Sequence, residues 1–349
     1  METPPLSESA QPSGPPWIIT QPAPPRKPRI FLWIVMIFLA FGLFGSFGLN
    51  LLLLAVLGGG TLEEPRVQER FVSHNRFGTE KVAILSIEGT ILTGDGFVKQ
   101  QIDHARKDIA DGNLKALVVR VNSPGGTING SDFILHHLHQ VAQETNIPIV
   151  VSMGGMAASG GYYVSMCVGD RPDTIFAEPT TWTGSIGVVI PHYNIADLIE
   201  KWGVEADPIA SNPLKTMGSI ARKMTEQEKH IFQKLVDDGF TQFKDAIRQG
   251  RPKFRADSAA LDRLATGQVF TAQQALASGL VDKIGFVEDA VERAIRLAHL
   301  DAAKVKVVRY KAEPKLSDLL FGQAIGRTPV DLSAILDSAA PKAYYLYCW

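Results

Sequence analysis

Short runs of branched apolar residues alternate with longer segments in which apolar positions recur every three or four residues, and this regime begins at Lys81. "KVAILSI" (81–87), "LKALVVRV" (114–121), "IPIVVSM" (147–153) and "DTIFAE" (173–178) read as strands, while 97–110 and 129–145 have the length and mixed polarity of amphipathic helices. The strands are apolar at nearly every position instead of at every second one. Such strands bury both faces, so the pattern predicts an α/β domain around a parallel sheet covered by helices on both sides. Further on, Thr225 with Glu228 three residues later opens the helical run "TEQEKHIFQKLVDDGFTQFKDAIRQG" as a cap, and "VKVVRY" (305–310) reads as a last strand.

A different pattern precedes this regime. Residues 30–57 contain no charged side chain. At 1.5 Å per residue such a helix reaches ~42 Å, against a hydrocarbon core of ~30 Å, so the run predicts one transmembrane helix. A cleaved signal peptide has an apolar region about half this long. Within the run, Asn50 and the row Gly42, Gly45 and Gly48 are of the kind that assists helix association. Residues 1–29 hold nine prolines and end in "PPRKPR", which predicts a disordered tail. Arg26, Lys27 and Arg29 abut the span on one side, and Glu63 and Glu64 follow it on the other. The positive-inside rule then keeps the tail cytoplasmic and sends the large domain across the membrane. The expected organisation is a tail (1–29), a transmembrane helix (30–57), a linker (58–80), one domain (81–310) and a C-terminal tail (311–349) ending in the apolar "AYYLYCW" as a candidate oligomer contact.

Charge and composition remove several function classes. The chain of 349 residues has a formal net charge of −1 and no basic cluster interleaved with aromatics, so nucleic acid is not an expected partner. Its two cysteines, Cys167 and Cys348, form neither a metal-ligand spacing nor a disulfide framework, and no cofactor or metal is expected.

Candidate chemistry centres on "GGMAASGGYY" (154–163), where Ser159 stands alone among residues with almost no side chain, directly after a strand. Such a serine is either a helix cap or a nucleophile, and the small neighbours leave room for a substrate backbone. A nucleophile needs a base and donors for the oxyanion. "VNSPGG" (121–126) offers backbone N–H groups in a turn between a strand and a helix. Of eight histidines, only His192 in "VIPHYN" follows a strand-like run (186–190) and is a candidate base; the others fall in linker or helical surface patterns. The other candidate base is Lys215 in "SNPLKTMGS", which would need burial near Leu214 and Met217 to stay neutral, with Lys223 as a further alternative. Ser185 in "TTWTGSIGVV" is a second hydroxyl, able to orient an ammonium or simply to finish a strand.

Taken together, "AASGGYY", "TGSIGVV", "VNSPGG" and "TGQVFTAQQALASGLVDKIG" (266–285) resemble the SppA-type signal peptide peptidases over roughly 81–300. The resemblance implies a membrane-anchored serine endopeptidase with a Ser-Lys dyad on a crotonase-like or Clp-protease-like α/β fold. Ser159 would then be the nucleophile, Lys215 the general base and Ser185 the hydroxyl positioning the lysine, with Gly126 and Gly160 as oxyanion donors. The implied substrates are cleaved signal peptides and other membrane-associated peptides, and the implied location is the bacterial inner membrane. Long forms of the family draw serine and lysine from two tandem units, so a one-unit chain would draw its lysine from a neighbour in a homo-oligomeric ring. The competing expectations are a Clp-type Ser-His-Asp peptidase using His192, a crotonase-type acyl-CoA enzyme, and a membrane-tethered scaffold.

Overall fold

The computed structural model describes residues 30–58, 66–313 and 344–346; the Pro-rich segment 1–29 and most of the tail 311–349 lie outside them. The chain divides into two units, Met1–Glu63 and Glu64–Trp349. In the first, the charge-free run forms α1 (Ile30–Gly58), one residue longer than its pattern predicts. The side chains of Trp33–Asn50 have no protein covering, and this helix is long and apolar enough to cross a membrane. Asn50 donates its amide back to the Ser46 carbonyl at 2.8 Å, one turn earlier, which satisfies the one strongly polar group locally.

The second unit is built on a sheet with the path β1 (Val67–His74), β10 (Val305–Ala312), β2 (Glu80–Glu88), β3 (Leu114–Ser123), β5 (Ile149–Ala158), β6 (Ile175–Ala177) and β9 (Lys283–Ile284). All neighbours on this path are parallel except β1 and β10. Successive residues of β2 separate to the two faces as strand geometry requires. Ala83, Leu85 and Ile87 pack with Ile102 and Ala105 of α2 (Phe97–Ala110) and with Ile134 and Leu138 of α3 (Ile128–Thr145). Val82 and Ile84 pack with Ala290, Val291 and Ala294 of α10 (Val287–Leu297). Both faces are covered, and each fully buried branched side chain contributes about 1.5–3 kcal/mol. The expected two-sided α/β sheet is therefore present, with strands and helices where their periodicity places them.

Two expectations need correction. Residues 67–74, assigned to a linker, form the edge strand β1, pairing with β10 from Val67 opposite Ala312 to His74 opposite Lys306. Its charged, partly exposed sequence reads as a linker because an edge strand against polar surroundings needs little apolar surface. The strand at 305–310 is not the last: β10 inserts beside β2, and β11 (Tyr344–Leu346) follows.

The course of β5 positions the candidate site. Its first half, Val151–Met153, pairs with β6, and its second half, Met156–Ala158, pairs with β7 (Trp182–Gly184). The change of partner falls at Gly154 and Gly155, where Asn122 Oδ1 accepts from Met156 N at 3.2 Å and Thr181 Oγ1 donates to the Gly154 carbonyl at 2.7 Å. A Cβ on Gly154 would stand 3.1 Å from both Arg120 Nη2 and Asn122, so a side chain there would push against this turn. The strand then delivers Ser159 at its end, and the chain turns directly into α4 (Gly160–Val164).

Candidate active site

Ser159 sits at φ +54° and ψ −117°, between strand and helix, in a conformation that few residues other than glycine adopt. Its backbone is pinned on both sides: its N–H donates to Gly184 O at 2.7 Å, and its carbonyl accepts from Tyr163 N at 2.8 Å. The residue is 1% exposed, and its Oγ is buried with no hydrogen-bond partner among the described residues. It stands at the N-cap position of α4, but its side chain makes no cap bond. An orphaned buried hydroxyl on a strained turn costs free energy that folding alone does not recover.

The turn is held against a second one. β4 (Gly125–Thr127) follows Pro124, and Gly125 lies at φ +98°. A Cβ on Gly160 would stand 3.2 Å from Gly125 Cα and 2.4 Å from Ser131 Oγ, and a Cβ on Gly161 would stand 2.7 Å from the Ser123 carbonyl. The two glycine turns thus approach with backbone against backbone, which a side chain on either would prevent. Gly126 is clamped on its far side by Ile91, whose N–H donates to Gly125 O and whose carbonyl accepts from Thr127 N, each at 2.8 Å. Behind the serine, Tyr162 OH donates to Leu280 O at 2.8 Å and Tyr163 OH to Asp132 Oδ1 at 2.7 Å, anchoring α4 from two directions. Burial pushes both phenols above their usual range, and for Tyr163 the Asp132 hydrogen bond adds to it, so both remain neutral anchors.

Ser185 is brought to this corner. β5 and β7 run parallel with Ala158 opposite Gly184, so the next residue of each strand is Ser159 and Ser185. Ser185 is also buried and left-handed, at φ +49°, with its N–H donating to Gln268 O at 2.7 Å.

Among the described residues Lys215 hydrogen-bonds neither serine. It lies on a single turn, Pro213–Thr216, and is exposed, so the burial expected from Leu214 and Met217 is not found within one chain. Its surroundings explain why: Tyr193, Trp202, Val204 and Ile209 are all more than half exposed, and the segment has no apolar surface of its own to close over. Among the described residues the run 186–190 makes a single bridge, Val189 to Tyr344, instead of a strand. Arg222 ties the turn down. It donates to the Thr216 carbonyl at 3.1 Å and pairs with the Glu228 carboxylate at the start of α6 (Glu226–Gly250), where Thr225 and Glu228 form the expected capping box. The Arg222 guanidinium, aided by the Thr225 N–H, lowers the Glu228 carboxyl to about 2. Sequence reading identified this glutamate only as a cap; an arginine three residues before Thr225 was the available signal for its second bond. Lys223 is exposed and lies 3.8 Å from Asp197.

His192 has a buried Nε2 with no partner among the described residues, and it makes no hydrogen bond with Ser159. Among the other histidines, His104 joins a polar cluster with Glu69 and Asp108, whose ligand atoms lie within 4.8 Å of one another. Lys81 Nζ bonds both carboxylates, at 2.6 and 2.8 Å, so an ammonium already occupies the place a cation would take.

Residues 141–301 match the description of peptidase family S49. A putative protease of Synechocystis sp. is 37% identical over 231 residues, covering 65% of this chain and 78% of its own. A putative signal peptide peptidase SppA of Enterococcus faecium is 35% identical over 241 residues, covering 66% of this chain and 67% of its own. Protease 4 of Salmonella typhi is 31% identical over 268 residues, which is 74% of this chain but 41% of that longer protein.

Proposed function

We propose a residue-level mechanism on the premise that the chain belongs to peptidase family S49, as an SppA-type member, and is a serine peptidase. In this reading Ser159 is the nucleophile. The observation that carries it is the buried, unpartnered Oγ on a strained strand-to-helix turn, set against a second glycine turn. Oγ adds to a peptide carbonyl carbon, and the oxyanion is received by the N–H groups of Gly126 and Gly160; one such donor is worth ~3 kcal/mol in the transition state. A neutral Lys215 amine takes the Oγ proton, hands it to the departing amine, and then activates water to hydrolyse the ester. Ser185, one residue beyond the strand pair that places Ser159, orients the ammonium.

The exposure of Lys215 and of the apolar side chains around it favours a lysine supplied by a neighbouring copy, in a homo-oligomeric ring. α1 anchors the chain as a single pass in the bacterial inner membrane. The charge flanking it supports an orientation with residues 81–310 and the tail 311–349 outside the cytoplasm and 1–29 inside. A ring tethered there takes unfolded or short peptides, and the name carried by the Enterococcus relative supports signal-peptide remnants as the substrate class.

Complementation tests the mechanism. Ser159→Ala and Lys215→Ala each lose hydrolysis of a fluorogenic peptide, falling below a few percent of wild type. Mixed under subunit exchange, they recover part of the activity if serine and lysine meet across copies. Residual activity in Ser159→Ala overturns the nucleophile, and a mixture that stays inactive assigns both residues to one chain. Because His192 Nε2 is unpartnered, a Ser-His arrangement is the second reading; near-normal activity of His192→Ala removes it.

A further inference from the structure

The register between β3 and β5 changes just before the serine. Val121 lies opposite Met153, but Ser123 lies opposite Ala157. Asn122 therefore faces three residues, Gly154, Gly155 and Met156, and β5 carries a bulge of two extra residues. The rise of a strand gives the consequence at the site. Counted on from Val121 and Met153, an unbroken register would set Ala157 level with Gly125. The bulge holds β5 back by two residues, roughly 6–7 Å, and sets Ser159 there instead. The backbone approach at the serine turn, where a Gly160 Cβ would stand 3.2 Å from Gly125 Cα, is the one that the bulged register produces.

Two glycines have no side chains with which to hold a bulge, and the bulge takes backbone groups out of the ladder. Side chains from neighbouring segments receive those groups. Asn122 Oδ1 accepts from Met156 N at 3.2 Å, while its own carbonyl accepts from Gly89 N at 3.0 Å. Arg120, two residues earlier on β3, donates through Nη1 to Ser152 Oγ at 2.8 Å and to the Met153 carbonyl at 3.3 Å. Its Nη2 pairs with Glu178, and the segment beginning there runs through Thr181 into β7. β7 in turn accepts the Ser159 N–H at Gly184 O. Asn122 is exposed, so its side chain acts through this bond and not through burial.

We propose that Asn122 is a positioning residue for the serine, with Arg120 in support: their side chains lock the bulge, and the bulge sets Ser159 level with the oxyanion turn. The proposal rests on the assignment of Ser159, Gly126 and Gly160 given above. Without the lock, the slack of the glycine pair passes into the strand. A slip of one residue moves the serine by ~3.3 Å and turns its side chain to the other face. A misplacement of ~1 Å already costs about a hundredfold in rate, so even a minor population of slipped register is read in kcat. Binding of the peptide away from the serine is untouched, and KM stays where it is.

Two variants of the full-length chain provide the test: Asn122→Ala deletes the acceptor, and Asn122→Asp keeps an acceptor oxygen in place. Peptide hydrolysis, the rate of labelling by a fluorophosphonate, hydrogen exchange of amides 154–158 and thermal unfolding are recorded for each and for the wild type. Asn122→Ala is expected to lower kcat about tenfold with KM within about twofold, and to slow labelling by a similar factor. It should also speed exchange across the bulge while keeping a cooperative unfolding transition. Asn122→Asp is expected to recover kcat to within about threefold of wild type. Unchanged exchange or unchanged kcat in Asn122→Ala, or equal losses in the two variants, overturns the proposal. So does an Asn122→Ala chain that no longer unfolds cooperatively, which makes the side chain part of the fold. Labelling separates the two assignments. A wild-type chain that takes no label at Ser159 removes the nucleophile on which the proposal rests, whereas a labelled wild type with an unaffected Asn122→Ala overturns the positioning role alone.

Discussion

The serine corner and the lysine segment are built on opposite plans. Around Ser159, two glycine turns, two left-handed serines and the buried phenols of Tyr162 and Tyr163 are fixed by backbone bonds of 2.7–2.8 Å, inside one fold. Around Lys215 the backbone is held by bonds within its own turn and by the Arg222 and Asn212 side chains, and apolar side chains such as Ile209 stand fully in the open. The serine half of the candidate machinery is thus held by the described residues, whereas Lys215 is exposed among them. Catalytic groups acting together need both to be held within a fraction of an ångström. On the proposed reading, a neighbouring copy supplies the constraint that the lysine segment lacks.

The largest effect breaks the rigid half. Gly126→Ala places a Cβ 1.9 Å from the Ile91 carbonyl, which is backbone and cannot swing away. It is expected to lower kcat by about 10²–10³-fold and to cost ~2–3 kcal/mol of stability, measured by peptide hydrolysis and thermal unfolding. The control is Gly155→Ala, whose Cβ would meet nothing nearer than 3.8 Å and should leave both readings unchanged. Equal behaviour of the two variants would remove the close approach as the reason for glycine.

A smaller effect is expected in the open half. Trp202→Ser with Ile209→Ser leaves the unfolding transition of the single chain in place, because both side chains are exposed. Particle mass by light scattering should fall to smaller species, and activity should fall about tenfold and recover at high protein concentration, as mass action requires. An unchanged mass would move the contact to another surface.

The smallest effect is at the Arg222–Glu228 pair, which ties the start of α6 to the lysine turn. Glu228 is held well below its ordinary value by Arg222, so its contribution is complete above about pH 4.5 and is lost as pH falls toward 2. Glu228→Gln should remove that acid-side dependence from the unfolding profile. At neutral pH it should lower kcat about fivefold with KM unchanged, since a partly exposed pair is worth under ~1 kcal/mol and 1.36 kcal/mol is tenfold in rate. A change in KM alone would make the pair structural and unrelated to Lys215.

The sequence by itself determined the elements whose cause is local. Helix α2 spans the predicted 97–110, Thr225 caps α6 through Glu228, and β2, β3 and β10 begin within a residue of their apolar runs. Each follows from side-chain period or a cap within a few residues, which the order of residues specifies without reference to distant chain. The chemistry-bearing motifs were legible in the same way, since a lone serine among glycines after a strand is a local signal. Tertiary structure alone decided the rest. β1 reads as a linker until β10 arrives from the far end of the chain to pair with it, and Gly125 and Gly160 are only permissive turns until their backbones meet. Tyr345 is one aromatic in an apolar tail until it pairs with Gly126 of β4, and Lys215 stays exposed because no residue near it in sequence can cover it. These are contacts between segments far apart in sequence, and their energy comes from complementary surfaces that no local pattern encodes.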